Sequence, residues 1–456
     1  MMTQSPPIVS IQPPKDVSLS EIEAELLEIW HSYGSGGDIG GDFPTAIRAT
    51  TFTLVVYEPE ETQQMLSALG YYSGPIDGIV GPRMVAALKA AQKTYGLQRT
   101  GRADPTTKDK LRQEYSESLD TKDNADEVEN LQYSADQEGA GIADAIAAAN
   151  PCRIIALCPI AGEDRGVTAQ VSASCPISKH SQSTLVCCEY ITLTGTATAL
   201  ERIGGVISEL MIGELPKFIW WKGTPDTEYG LFKRLAGLSD NIIIDSSSFS
   251  NQEAKLLQMY ALSEEGIAIA DLNWRRLAPW QELSAEAFDP PERRAALKEV
   301  DRVTIDYEKG NVSQALMYLG WLASRLNWRP VSYQKEDGDY EIRRVNFSSP
   351  DQHSIEAELA AIPIADVGEI PGDLISLRLG STNMDADCCT VLCSETTGCM
   401  RMEAHGGAQS CRIQQVTPLF DQKTEQLLSQ ELQRWGRDKL YQESLAVTAQ
   451  IIKLGH

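Results

Sequence analysis

Short apolar runs rich in β-branched residues alternate with helical segments through the middle of the chain, and that alternation restricts the fold more than any other feature. TFTLVVYE (51–58), CRIIALCPI (152–160), TLVCCEYITLT (184–194), KFIWW (217–221), NIIID (241–245) and IAIADL (267–272) read as strands. Between them, residues 198–212 carry Leu200, Ile203, Val206, Ile207 and Leu210 on one helical face, and residues 251–262 are helical in pattern. Strands that alternate with helices imply a largely parallel sheet covered on both faces, hence an α/β domain over residues 139–290. Strand 51–58, the helix IADAIAAAN (142–150) and strand 153–160 form one βαβ unit, so residues 46–58 supply the domain's first strand.

Everything between those two strands is then an insertion in a crossover. Residues 59–118 have their own start and stop signals. A helix through Met65, Leu66 and Leu69 stops at Gly70, Pro82 opens a second that Gly96 closes, and Asp104 with Pro105 opens a third. QQMLSALGYYSGPIDGIVGP, AALKAAQKTYGLQRTG and DPTTKDKL resemble the type 1 peptidoglycan-binding domain, which implies a small three-helix module. Met84 stands where that family usually has Thr, and Ala91 where it usually has Phe before Gln92. An acidic linker (119–138) follows, and residues 1–45 read as a flexible segment with one short helix behind Ser20. Past residue 291, VDRVTIDYE, YEIRRVNFS, DLISLRLG, CTVLCSE and CMRMEA read as successive strands, with helices at 312–327 and from about 422. That order implies a C-terminal α+β domain (291–456) built on an antiparallel sheet.

A formal net charge of -24 opposes binding to phosphate backbones and anionic lipid, so neither nucleic acid nor membrane is expected as a partner. The opening MMTQSPPIVSIQPPKDVSLS has no basic flank before an apolar run, and cytoplasmic residence is expected. The ten cysteines are then expected to be mostly free thiols, with redox chemistry at selected ones. The histidines are scattered, and no GxSxG elbow, Walker loop or strand-linked GxGxxG is present. No catalytic residue, cofactor or metal is assigned. A zinc site from CCTVLCSETTGCMRMEAH with Cys411 fits less well than a redox pair. SETTG lets Cys393 and Cys399 lie opposite each other on a hairpin, with Cα atoms at disulfide range. Trp220 and Trp221 end a strand of the α/β domain, where such sheets bind ligands, and are candidate partner-interface residues.

TAIRATTFTLVVYE, NPCRIIALCPI, LPKFIWWKGTPD, NIIIDSSSF, DLNWRRLAPWQEL and the region from VDRVTIDY together resemble the OpcA family, the glucose-6-phosphate dehydrogenase assembly proteins of bacteria. The resemblance implies a non-catalytic factor that binds this dehydrogenase and promotes its active oligomer. A thioredoxin-type reductant would then act on the Cys393 and Cys399 pair. Two other readings compete. One is a glycan-binding protein of the cell envelope, suggested by the inserted module; the other is a sugar-phosphate enzyme, for which the sequence offers no nucleophile or phosphate loop.

Overall fold

In the computed structural model, residues 8–34, 45–48, 51–58, 61–72, 82–104, 106–108, 110–111, 113–115, 151–160, 164–176, 184–249, 251–289, 291–336, 341–362, 374–383, 390–396, 399–405, 413–418, 424–434 and 436–455 are described, without the side chains of 390–418 and some others. The chain divides into two compact units, Met1–Ile242 and Ile243–His456.

The first unit is built around strand β3 (Thr53–Tyr57). Leu54, Val55 and Val56 are buried because the strand has parallel neighbours on both sides and no solvent face. One neighbour is β4 (Arg153–Pro159), with Thr53 opposite Arg153; the other is β7 (Lys217–Trp221), with Thr53 opposite Lys217. Beyond β4 lies β6 (Thr184–Gly195), again parallel, and β6 also carries the short parallel strand β2 (Thr45–Arg48). Beyond β6 come two antiparallel strands, β5 (Thr168–Pro176) and β1 (Ile8–Val17). The path is therefore β1-β5-β6-β4-β3-β7, with β8 (Asn241–Ile244), in which the division between units falls, and then β9 (Ile269–Asp271) next along it. As expected, β3 and β4 pair in parallel across the inserted segment. The helix expected at 142–150 lies outside the described residues.

Two features differ from expectation. Residues 8–17 form a strand and not a flexible tail; Pro13 and Pro14 fit because β1 is an edge strand whose pairing with β5 is irregular between Gln12 and Lys15. The helical face at 198–212 is split into Ala197–Arg202 and Gly204–Leu210. Thr196 caps the first helix through its side-chain oxygen, and the Gly204–Gly205 pair allows the break.

A buried ion pair ties this unit together. Arg153 and Glu189 sit opposite each other on β4 and β6, both 2% exposed or less, with Arg153 Nε 2.7 Å from Glu189 Oε2. Helix Ile22–Gly34 closes over the pair: Glu23 takes Arg153 Nη1 at 2.5 Å, and Trp30 Nε1 donates to Glu189 Oε1. Arg48 of β2 reaches Glu189 as well. Each charge thus meets hydrogen-bonding partners that offset its desolvation.

Beside this pair lies a disulfide between Cys175 of β5 and Cys187 of β6, both fully buried and packed by Ile11 and Trp30. This corrects the expectation of free thiols in that region. No strand was read from TAQVSASCP, whose small residues give little strand signal, so the facing of the two cysteines was not legible. Cys152, Cys158 and Cys188 are buried and stand outside that disulfide.

The inserted segment folds as a helical module. Glu61–Ala68 and Pro82–Thr94 pack with the helical residues after 105 around Met65, Leu66, Met84, Leu88, Ala91 and Leu111. Gln92 is fully buried and pins the third helix: its amide donates to Thr107 Oγ1 and the Arg102 carbonyl, and its oxygen accepts from Gly101 N at 2.8 Å.

The second unit carries an eight-stranded sheet. Its strands are β10 (Arg302–Glu308), β11 (Arg329–Glu336), β12 (Glu341–Ser348), β13 (Ser354–Ile362), β14 (Leu374–Gly380), β15 (Thr390–Thr396), β16 (Cys399–His405) and β17 (Ile413–Pro418). They follow the path β11-β12-β13-β10-β14-β15-β16-β17. The sheet is mixed and not purely antiparallel, because β10 runs parallel to β13. Helices Val312–Leu326 and Lys439–Lys453 pack at close range at Gly320, where a Cβ would stand 2.6 Å from the Ser444 carbonyl. Ser444 and Thr448 donate to the carbonyls of Met317 and Leu316 across that contact.

With Cys175 and Cys187 separated by 12 positions, breaking their bond should cost about 3 kcal/mol in the chain-entropy model. Urea unfolding of Cys187→Ser against the oxidised wild-type chain should show that loss, and the two should converge once the wild type is reduced.

Candidate functional site at the sheet edges

Chain order sets where an open α/β sheet offers a crevice. From β3 the chain moves one way to β4 and β6, then returns past β3 to β7, so the strand order reverses between β3 and β7. The carboxyl ends of those two strands are where such sheets receive ligands. Here the space is occupied by the chain's own side chains. Tyr57 stacks on Trp221 with ring centroids 3.7 Å apart and planes within 7°. Phe232 meets Trp221 edge-on at 4.9 Å, and Tyr229 sits 6.1 Å from it. One residue on, Glu58 and Lys222 form an ion pair, and Lys222 Nζ lies 4.5 Å above the Trp220 ring. Tyr229 donates to the Ala197 carbonyl at 2.7 Å; burial, then Tyr57 and Glu201, push its phenol above the ordinary range. The turn that would need glycines to admit a pyrophosphate reads Tyr57-Glu58-Pro59-Glu60 instead.

Trp220 and Trp221 are 3% and 2% exposed, so the aromatic ends of β7 are core. What this edge presents to solvent is the half-buried set Tyr57, Lys222 and Tyr229.

A second polar cluster lies in the other unit and centres on residues 271–276. The polar side chains of this run hold three other stretches, 245–246, 311–314 and 431–438. Asp271 Oδ1 accepts from Ser246 N at 3.0 Å and Asn273 N at 2.9 Å. Asn273 and Asn311 exchange amide hydrogen bonds at 2.8 and 3.0 Å, and Gln314 donates to Asn273 Oδ1. Trp274 Nε1 donates to Asp438, the cap of the last helix. Arg275 pairs with Glu431 at 2.7 Å, and Arg276 grips both oxygens of Asp245 at 2.8 and 2.7 Å. Burial opposes ionisation of Asp245, but the Arg276 guanidinium holds its carboxyl below the usual range. Asp271, 1% exposed, is pushed up to about 6 by burial and by the Asp245 charge. Its Oδ2 has no hydrogen-bond partner among the described residues, and neither has the buried Tyr441 hydroxyl. The sequence places Asp245 and residues 271–276 in NIIIDSSSF and DLNWRRLAPWQEL, two of the stretches that carry the family resemblance, but assigns them no role of their own.

Cys393 and Cys399 do lie on a hairpin, β15–β16. Its register places Cys393 opposite Met402 and Cys399 opposite Thr396, so the two cysteines are three rungs out of step and do not face each other. The other cysteines of that cluster, Cys388, Cys389 and Cys411, lie outside the described residues. Among the described residues no group of His, Cys, Asp and Glu suits a metal ion, and no helix is long and apolar enough to cross a membrane.

Two family models together cover most of the chain outside the inserted module. The glucose-6-phosphate dehydrogenase subunit N-terminal domain of OpcA matches residues 143–261, and the corresponding C-terminal domain matches 267–445. A curated relative, the OxPP cycle protein OpcA of Nostoc punctiforme, is 62% identical over all of this chain and 97% of its own length. The chain belongs to the OpcA family. The OpcA protein of Synechocystis sp. is 59% identical over 99% of this chain and 95% of its own. Residues 57–111 match the peptidoglycan binding domain model, where the helical module lies. Among solved structures, the 3-ketoreductase KijD10 of Actinomadura kijaniata covers 55% of this chain and 79% of its own at 10% identity and a TM-score of 0.36, too slight a likeness to carry function.

The raised Asp271 pKa has a signed consequence. A carboxyl that binds its proton more tightly when folded supports the fold below its unfolded pKa near 3.9, and that support is lost as pH rises through about 6. Asp271→Asn should therefore gain on wild type between pH 4.5 and pH 7.5, by about 2 kcal/mol in the difference between them. Thermal unfolding of both chains at the two pH values checks it.

Proposed function

We propose that this chain is a non-catalytic factor that binds glucose-6-phosphate dehydrogenase and promotes its active oligomer, within the cytoplasm and in the oxidative pentose phosphate pathway. The observation that carries this reading is kinship over the full length with OpcA proteins, with both dehydrogenase-subunit domains matched in order. The sheet edge supports it: where a dinucleotide would lie, the Tyr57–Trp221 stack and the Glu58–Lys222 pair fill the space. A factor of this kind acts by binding one state of its partner more tightly than another, and a tenfold shift needs a differential of about 1.4 kcal/mol. The half-buried Tyr57, Lys222 and Tyr229 form a surface that suits such contact.

Glucose-6-phosphate dehydrogenase activity measured against rising amounts of the chain should increase and saturate. Activity that stays flat through excess chain contradicts the reading.

The reading includes a redox input at Cys393 and Cys399, with a thioredoxin-type reductant. From the register in place, joining them requires a three-residue slip of β15 against β16, and an odd slip exchanges the faces of the hairpin's side chains. Oxidation would then rewrite the hairpin and not merely stiffen it. Oxidised and reduced chain should activate the dehydrogenase to different extents, and Cys393→Ser or Cys399→Ser should erase the difference. A difference that survives both substitutions contradicts the role of this pair and places the effect at other cysteines of the chain.

A further inference from the structure

The charge of this chain is unevenly laid out around the helical module. Residues 83–112 hold eight Lys and Arg against two Asp, inside a protein of net charge -24. Residues 116–138, which lie outside the described part of the chain, hold eight Asp and Glu against one Lys. The two stretches are separated by three residues.

On the module, the excess positive charge gathers on one side. Lys89 and Lys93 are one turn apart on helix Pro82–Thr94 and exposed, and Arg99, in the loop that follows, is exposed as well. Lys89 lies across Gly101, since a Cβ there would stand 2.8 Å from its Cε; this draws the lysine toward the same loop. Among the described residues none of these three cations has a carboxylate within ion-pair distance. Elsewhere Lys15, Lys222, Lys233, Lys309 and Lys335 each have one, while the exposed Lys298 and Lys439 have none among the described residues. The acidic stretch begins one residue after Tyr115, where the module's described part ends, and offers these three cations a counter-charge close by in sequence. Its 23 residues span up to about 80 Å when extended, several times what is needed to reach across a module of this size. Tethering of this kind gives an effective concentration on the order of millimolar, enough for several weak pairs to hold together.

We infer that the basic face formed by Lys89, Lys93 and Arg99 is a docking surface for the chain's own acidic segment 116–138. The contact is intramolecular and electrostatic, and therefore weakens as salt rises. It also gives the module a built-in competitor: an acidic surface on another protein can reach these cations only by displacing the segment.

Lysine acetylation rates in the full chain, read by mass spectrometry, test the inference. The neutralised variant carries Asp123→Asn, Asp126→Asn, Glu127→Gln and Glu129→Gln, all outside any described packing. Labelling of Lys89 and Lys93 should be about threefold faster in the variant than in wild type, with the exposed Lys298 unchanged as the internal control. Raising salt should bring the wild type toward the variant, and dilution should leave the ratio as it is. Equal rates in the two chains overturn the inference. So does protection that grows with protein concentration, which would make a second copy the occupant.

Discussion

Parallel strands cannot be joined by a tight turn, and at β3 this constraint organises much of the first unit. Because β3 is parallel to both β4 and β7, the chain must leave the sheet at its carboxyl edge and travel back before each pairing can form. The first of those journeys holds a complete helical module with its own core. The insertion disturbs neither strand, because a crossover is already the longest and least restrained connection in such a fold. The same geometry places Tyr57 and Trp221 side by side at the strand ends, where their rings stack.

Polar residues in this fold therefore act mainly as ties. Arg153 and Glu189 join β4 to β6 and hold the first helix over them. Residues 271–276 do the same in the second unit, where five polar side chains reach stretches 245–246, 311–314 and 431–438. Such networks are costly to leave half satisfied, and these are nearly complete. Among the exceptions, Asp271 Oδ2 marks where the second unit's stability responds to pH. A chain whose buried polar groups are committed to holding elements together has its exposed surfaces left for interaction, which agrees with the membership of the OpcA family.

The sequence made the parallel sheet legible because β3, β4, β7 and β8 are uninterrupted apolar runs, and made the module legible because Gly70, Pro82 and Gly96 punctuate it. It hid β1 behind two prolines, and β5 behind alanines and serines that carry almost no strand signal. With β5 hidden, the Cys175–Cys187 bond could not be read either, since the pairing depends on which strand faces which. Trp220 and Trp221 were read as surface anchors from their place at a strand end, but Tyr57, Phe232 and Lys222 cover them, and no local pattern reports that cover. The Cys393–Cys399 hairpin was found while its register was not, because the turn that fixes register is a matter of backbone geometry more than of residue type.

The central claim is that this chain changes the assembly state of glucose-6-phosphate dehydrogenase through surface contact. Sedimentation velocity of the dehydrogenase, alone and with a stoichiometric excess of the chain, addresses it most directly. The account predicts that the dehydrogenase boundary moves to a larger species that contains both proteins. Two boundaries that sediment at the same rates in the mixture as they do separately would contradict it.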